Sequence, residues 1–524
     1  MKTLRSHVCG DWYEAKDGFA TLHDPCTGEA IAQASTKGID FDAVLEYART
    51  KGGPALRAMT FAERAAILKA MSKALHACRD ELIELSMRTT GCTRKDAKFD
   101  LDGASGTLAY YAGLGKGLGG SKVLVDGEGT QLGRTARFWG QHAWIPRHGV
   151  ALHINAFNFP AWGFAEKAAC SILAGMPVIS KPATSTSMVT ERCAEILVES
   201  GAMPDGVFQF VCGSTGDLLD KLGGQDVLAF TGSASTGAKL RSRPNLIENS
   251  TSVNIEADSL NAAVLAPDVD PDSETWDLFL LDVHREMTQK TGQKCTAVRR
   301  IFVPESRADE IQEALADQLG NVVTGSPFED NVTMAALATE SQLNDAIEGV
   351  KKLSSHADIV CGTGDRVDGV GAEAGKGYFF APTLLRAKDS RNAGAVHDHE
   401  VFGPVATILP YDGQAAEAAA LVALGGGSLV TSVYSNDADW LRDFVLEGGA
   451  AFNGRLYIGS EKMAPQAPGS GIAMPQSLHG GPGRAGGGEE LGELRGLGLY
   501  MQRTALQGDR KVLEDVAGAQ PVEA

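Results

Sequence analysis

The chain has 524 residues, with 48 Lys and Arg against 66 Asp and Glu, a formal charge of −18, and 43% apolar residues. This acidic balance excludes a general nucleic-acid or membrane-surface role, so an anionic ligand would rely on local basic spots or backbone N–H groups. The length exceeds one small core and predicts two or three subdomains.

Nine scattered cysteines (9, 26, 78, 92, 170, 193, 212, 295 and 361) include no CxxC pair. That pattern predicts a reducing, cytoplasmic setting rather than a disulfide framework, and it offers no metal site. Residues 1–12 lack a continuous apolar core, so no secretory signal is expected. The most apolar region, 149–180, is interrupted by His153, Asn155, Asn158, Glu166 and Lys167, which excludes a membrane span.

In chain order, Thr60 and Glu63 form a capping box that opens a helix with an apolar stripe through Ile67, Met71, Leu75, Cys78 and Leu82. A second helical run reaches about Leu114. The glycine-rich stretch 115–133 precedes Thr135–Pro146, which alternates like an exposed strand pair and predicts an oligomer contact. From Gly149 strands and helices alternate: strands at 150–154, 178–180, 207–211, 227–230 and 253–256, with helices from Phe159 to Ala174 and up to Ser200. Such alternation predicts a parallel sheet with helices on both faces and ligands at the carboxyl ends of its strands. Residues 273–409 repeat this logic as a second α/β lobe. A glycine-rich tail, 469–498, leads to a last strand at 499–503.

Several strand ends carry residues suited to chemistry. Asn158 in Phe157–Pro160 can donate to a developing oxyanion, and Lys181 in Ser180–Thr184 can reach ribose hydroxyls or a phosphate. Thr231, Gly232, Ser233 and Gly237 form a small-residue turn between strand and helix, where backbone N–H groups can approach a pyrophosphate. Glu256 closes a strand and can act as a general base. Cys295, after Gly292-Gln293-Lys294, lies on a loop between a long helix and a strand, and Glu400 and Phe402 lie at a turn.

Taken together, the stretches FNFP, SKPAT, FTGSxxxG, the strand-end Glu, GQKC and EVFGPV resemble the aldehyde dehydrogenase superfamily in order and spacing, over roughly residues 10 to 510. The resemblance implies a Rossmann-type parallel-sheet cofactor domain (1–133 and 148–255) and a second α/β catalytic domain (256–478). It also implies a small β oligomerisation element with tail (134–147 and 479–512) and a C-terminal tail (513–524). Cys295 would be the nucleophile that forms a thiohemiacetal and then a thioester, and Asn158 with the Cys295 N–H would hold the oxyanion. Glu256 would activate the hydrolytic water, and Lys167 would serve a proton relay. Lys181 and Glu400 would hold the cofactor riboses, Ser233 the pyrophosphate, and Phe402 would lie alongside. A homodimer or dimer of dimers is implied, through Thr135–Pro146 and the strand near Tyr500.

Departures from the family pattern sharpen these expectations. Many NAD-preferring members have Glu three residues after the lysine, where this chain has Thr184 and then Ser185. Hydroxyls beside Lys181 accept a 2′-phosphate that a carboxylate would repel, which predicts NADP as cofactor with NAD tolerated. The tail from His479 to Gly492 is longer and richer in glycine than usual. It resembles a branch that includes the dehydrogenase halves of phenylacetate ring-opening proteins and stand-alone relatives in aerobic benzoate degradation. The stand-alone type is expected, with a CoA-linked semialdehyde (3,4-dehydroadipyl-CoA semialdehyde) as substrate and the glycine-rich tail offering a wide mouth for it. Glu490 resembles a glutamate at the subunit contact, or else Glu489 or Glu490 would orient Glu256. Two competing readings are an acylating enzyme, which Glu256 argues against, and a silent binding protein, which would be free to lose Cys295, Glu256 or Asn158.

Overall fold

In the computed structural model the described residues are 1–135 and 137–517. Residue 136 of the expected oligomer strand and 518–524 of the expected tail lie outside them.

Two seven-stranded sheets carry the two lobes. In the first, Ser252–Glu256, Val227–Thr231, Ala151–Ile154, Val178–Lys181 and Phe208–Phe210 run parallel in that order, and an N-terminal hairpin, Ser6–Val8 with Asp11–Tyr13, extends the edge antiparallel. In the second, Thr383–Ala387, Val405–Tyr411, Arg300–Pro304, Ala262–Leu265, Ser428–Tyr434 and Asn453–Gly459 are parallel, with Ala357–Cys361 antiparallel at one edge. Central strands such as Ala151–Ile154 and Val178–Ser180 are buried throughout, as parallel strands covered on both faces must be. The expected fold class is observed: mixed, mainly parallel α/β sheets with helices packed on them.

The capping box forms as read, Thr60 Oγ1 accepting from the Glu63 N–H while Glu63 accepts from the Thr60 N–H. The expected apolar stripe is shared by two helices, Phe61–Ala77 and Arg79–Thr90, because Cys78 leaves helical geometry (φ −102°, ψ 18°). The stretch expected as a strand pair at 135–146 is one strand, Trp139–Pro146. It pairs on one side with Leu124–Gln131, drawn from the region read as a glycine-rich connection, and on the other with Met501–Gly508. The last strand therefore starts at Met501, after a helical turn over Glu493–Tyr500. Part of the expected tail is helical, Arg510–Ala517. None of the described helices is long and apolar enough to cross a membrane.

The tail from residue 479 does not lie wholly with the three-stranded sheet. Leu478–Gly480 and Glu489–Leu491 form a hairpin that docks on the strand ending at Glu256. Gly488 N–H donates to Ile255 O (3.1 Å) and Ala257 N–H to Ala485 O (3.0 Å). A Cβ at Gly486 would stand 2.2 Å from Ile255 O, so glycine here permits backbone to touch backbone. This part of the glycine-rich tail thus packs its backbone on the strand that ends at Glu256.

Candidate active site

The nucleophile loop is built under constraint. The helix Glu274–Thr288 is followed by three residues in left-handed conformation, Lys290 (φ 53°), Thr291 (φ 55°) and Gly292 (φ 66°). Such geometry is costly for Lys and Thr and persists only where neighbours hold it. Thr291 Oγ1 donates to Ala335 O (3.1 Å), and Arg299 donates to Gly292 O (3.0 Å) and Gly403 O (2.7 Å). Asn261 Nδ2 holds Cys295 O at 2.8 Å, and Lys294 is buried in an ion pair with Glu286 at 2.8 Å. A Cβ at Gly292 would lie 2.2 Å from Gly403 O. Gly292→Ala is therefore expected to cost about 2–4 kcal/mol and to displace Cys295, seen as a lower apparent Tm together with a lower kcat. A variant matching the parent in both would show that the loop yields.

Cys295 stands where two spaces meet. On one side is a narrow slot walled by Phe99, Phe159, Trp162 and Ala473, an apolar lining suited to an alkyl chain. On the other is a cavity of about 770 Å³, which reaches from Cys295 and Glu256 past Thr231 to Lys181 and Ser214. That volume falls in the range of small-molecule sites, roughly 300–1,000 Å³. Asn158, Thr231 and Glu256 line both spaces. The Asn158 amide donates to Gln293 O (3.0 Å), two residues before the thiol. Thr231 Oγ1 is buried with no hydrogen-bond partner among the described residues.

The charged groups around the thiol form a buried chain. Glu256 Oε2 is 3.3 Å from His479 Nε2, and the same nitrogen is 3.7 Å from Cys295 Sγ. Burial disfavours the Glu256 carboxylate, but the His479 charge and hydrogen bond, with Lys167 behind, outweigh it and hold Glu256 well below the usual carboxylate range. Burial also disfavours a charged His479, and the Glu256 carboxylate outweighs it in turn, raising the ring above the usual histidine range. The Cys295 thiol is held well above its ordinary value by burial, then by Glu256 and Glu166.

Lys167 is buried and sits 3.0 Å from Glu490 and 3.3 Å from Glu166, both carboxylates rather than Glu256 itself. Burial raises Glu166, with Glu490 adding to the effect and Lys167 opposing it. Glu490 also accepts from Asn254 Nδ2 (3.1 Å), on the strand that ends at Glu256. Glu490 is thus buried within the chain, where a subunit contact was one expectation. It does not touch Glu256 directly, and neither does the exposed Glu489.

The expected cofactor residues divide. Lys181, Thr231, Gly232, Ser233, Glu400 and Phe402 all line the large cavity. Burial lowers the Lys181 ammonium from its usual range. Glu400 is pushed up to about 7 by burial, opposed by Arg299, and it accepts from Ser259 N–H (3.0 Å). Thr184, Ser185 and Gly237 are not among the lining residues. The Thr184 hydroxyl lies 3.5 Å from Gly213 O, and a Cβ at Gly237 would stand 2.9 Å from Ile255 Cγ2, so this glycine serves helix-on-sheet packing. The Ala234 N–H at the start of the helix Ala234–Arg241 is taken by Asp258 (2.8 Å), a carboxylate that the sequence reading did not place here.

The sequence matches the aldehyde dehydrogenase family over residues 12–484. The chain belongs to that family. It is 44% identical over 479 residues, covering 91% of this chain and 93% of the relative, to a 3,4-dehydroadipyl-CoA semialdehyde dehydrogenase of Aromatoleum evansii. Lactaldehyde dehydrogenase from Escherichia coli superposes with a TM-score of 0.84 at 23% identity, covering 97% of this chain and 99% of that one. The NAD+ complex of an aldehyde dehydrogenase from Bacillus cereus gives 0.82 at 22% identity, covering 97% and 96%. At these identities the two structures establish the fold. As a member of the aldehyde dehydrogenase family the chain is an enzyme that oxidises aldehydes.

Two members of this buried cluster were not singled out in the sequence. His479 opens the stretch that runs to Gly492, and its signal is a lone His before Gly-Gly ahead of a glycine-rich turn. Glu166 figured only as a charge interrupting an apolar run, although it adjoins Lys167.

Proposed function

We propose that the chain is a non-acylating aldehyde dehydrogenase that prefers NADP and converts a CoA-linked semialdehyde, 3,4-dehydroadipyl-CoA semialdehyde, to its acid. The observation that carries the reaction is the meeting of Cys295, Glu256 and Asn158 where the apolar slot opens into the large cavity.

Cys295 attacks the aldehyde carbon to give a thiohemiacetal, and the Asn158 amide with the Cys295 N–H stabilises the oxyanion. A nicotinamide cofactor, when bound, supplies the hydride acceptor that leaves a thioester on Cys295. Glu256 then takes a proton from water as it attacks the thioester, releasing the acid. The slot walls keep bulk water from the acyl chain, and Lys167 with Glu166 and Glu490 offers a buried route for the released proton. Cofactor fit is supported by the cavity volume and by Lys181, Ser233 and Glu400 in its lining. Lys181 and Glu400 would hold the riboses, and Ser233 the pyrophosphate.

The NADP preference rests on Lys181 with Ser214 and Thr215 at the far end of the cavity, and on Thr184 standing where many NAD-preferring relatives have Glu. The substrate rests on the 44% identity to the Aromatoleum evansii enzyme. A homodimer or dimer of dimers is proposed from the exposed face of the Trp139–Pro146 sheet.

Initial rates with NADP and NAD, on the CoA semialdehyde and on simple aldehydes, test both specificities. NADP is expected to be favoured by roughly tenfold or more in kcat/KM, about the worth of one charge-assisted hydrogen bond. Equal or better rates on small aldehydes with NAD would overturn both preferences while leaving Cys295 and Glu256 in place.

A further inference from the structure

The tail hairpin delivers a histidine to the reacting thiol. In the register of Leu478–Gly480 against Glu489–Leu491, His479 lies opposite Glu490. Its Nε2 reaches both Glu256 Oε2 (3.3 Å) and Cys295 Sγ (3.7 Å), and the thiol, carboxylate and imidazole atoms all lie within 4.8 Å of one another. His479 is only 4% exposed. A buried imidazole between a thiol and a carboxylate is the arrangement that activates a cysteine, with the carboxylate stabilising the imidazolium that forms.

We propose that His479 is a catalytic residue, the acceptor of the Cys295 proton, leaving Glu256 to stabilise the imidazolium and to activate water. In the tautomer that carries its proton on Nδ1, Nε2 is free to accept; as Cys295 attacks, its S–H bond breaks and an N–H bond forms at Nε2. The S–C bond forms, the carbonyl π pair moves to oxygen beside Asn158, and the new Nε2–H points at Glu256 Oε2. No electrons leave the system in this step. After the thioester forms, the imidazolium returns its proton to solvent.

Chemistry favours His479 over Glu256 as the first acceptor. Glu256 also accepts a hydrogen bond from the Cys295 thiol, but a carboxylate held far below its ordinary range is a weak base toward a thiol held far above its own. Burial lowers the His479 ring and the Glu256 carboxylate outweighs it, so Glu256 stabilises the imidazolium that proton transfer creates. The charged groups facing this ring are Glu256 and Glu166, which favour the imidazolium, and Arg455, which opposes it; Lys167 stands behind Glu256. Because the three reacting atoms share one corner, the histidine and the carboxylate titrate as a pair.

The inference rests on Cys295 being the nucleophile, and the test separates the two claims. The cofactor-free protein is alkylated with iodoacetamide across pH, and modification at Cys295 is followed by peptide mass, with Cys295→Ala as blank. In the parent protein, alkylation is expected to rise with an inflection below about pH 8, because the imidazolium formed beside the thiolate offsets the burial and the carboxylates that raise the thiol. In His479→Gln and His479→Asn it is expected to fall by roughly tenfold or more at neutral pH, the inflection moving up toward that of an isolated buried thiol. A parent profile that rises only above about pH 9, or unchanged profiles in folded variants, would overturn the role of His479. Should Cys295→Ala retain full aldehyde oxidation, the nucleophile assignment fails instead, and His479 with it. The parent profile needs no variant, so a folding defect in either substitution still leaves a decisive reading.

Discussion

Cys295→Ala is expected to lower aldehyde oxidation by roughly four orders of magnitude or more, while cofactor affinity stays near that of the parent. The expectation is this large because no other thiol stands ready to replace it. Cys92, Cys170, Cys193 and Cys212 are buried, and burial raises each of their thiols. Cys295 is the one cysteine lining either the slot or the large cavity. Alanine removes the sulfur without adding bulk, so the Asn261 and Arg299 bonds to the loop backbone survive. Reduction of cofactor measured by absorbance, with cofactor affinity from fluorescence titration, checks both halves. Undiminished reduction by the variant would overturn the mechanism.

Glu256→Gln is expected to separate the two halves of the reaction. The amide keeps the volume of the carboxylate but cannot accept a proton from water, so hydrolysis should slow by roughly 10²–10⁴-fold. Acylation depends on the thiol, so rapid mixing should show one equivalent of reduced cofactor per site, followed by slow turnover. Mass spectrometry should then find the acyl group on Cys295. The substitution also removes the counter-charge of His479, so the burst itself should slow at neutral pH if the ring is the thiol's base. Full steady-state turnover to a hydrolysed acid would remove Glu256 from its assigned role.

The sequence by itself determined what depends on neighbours along the chain. Strand–helix alternation from Gly149, the Thr60–Glu63 box and the buried run at 178–180 follow from side-chain periodicity and local hydrogen bonds, and all are observed. Cys295, Glu256 and Asn158 were legible because each sits in a contiguous motif. Boundaries were less legible: one stripe across two helices could not reveal the break at Cys78, since both segments bury the same face.

Only the tertiary structure decided the surroundings of the thiol. His479 and Cys295 are 184 residues apart, and Asn254 and Glu490 are 236 apart. No local propensity connects such pairs. They meet because the tail hairpin adds its backbone to the strand ending at Glu256, an approach that Gly486 permits and a Cβ would block. Likewise, whether a strand-end glutamate is a base or part of an ion pair depends on its burial and on the charges that other elements bring to it. These follow from register and packing, which emerge only when the whole chain has folded.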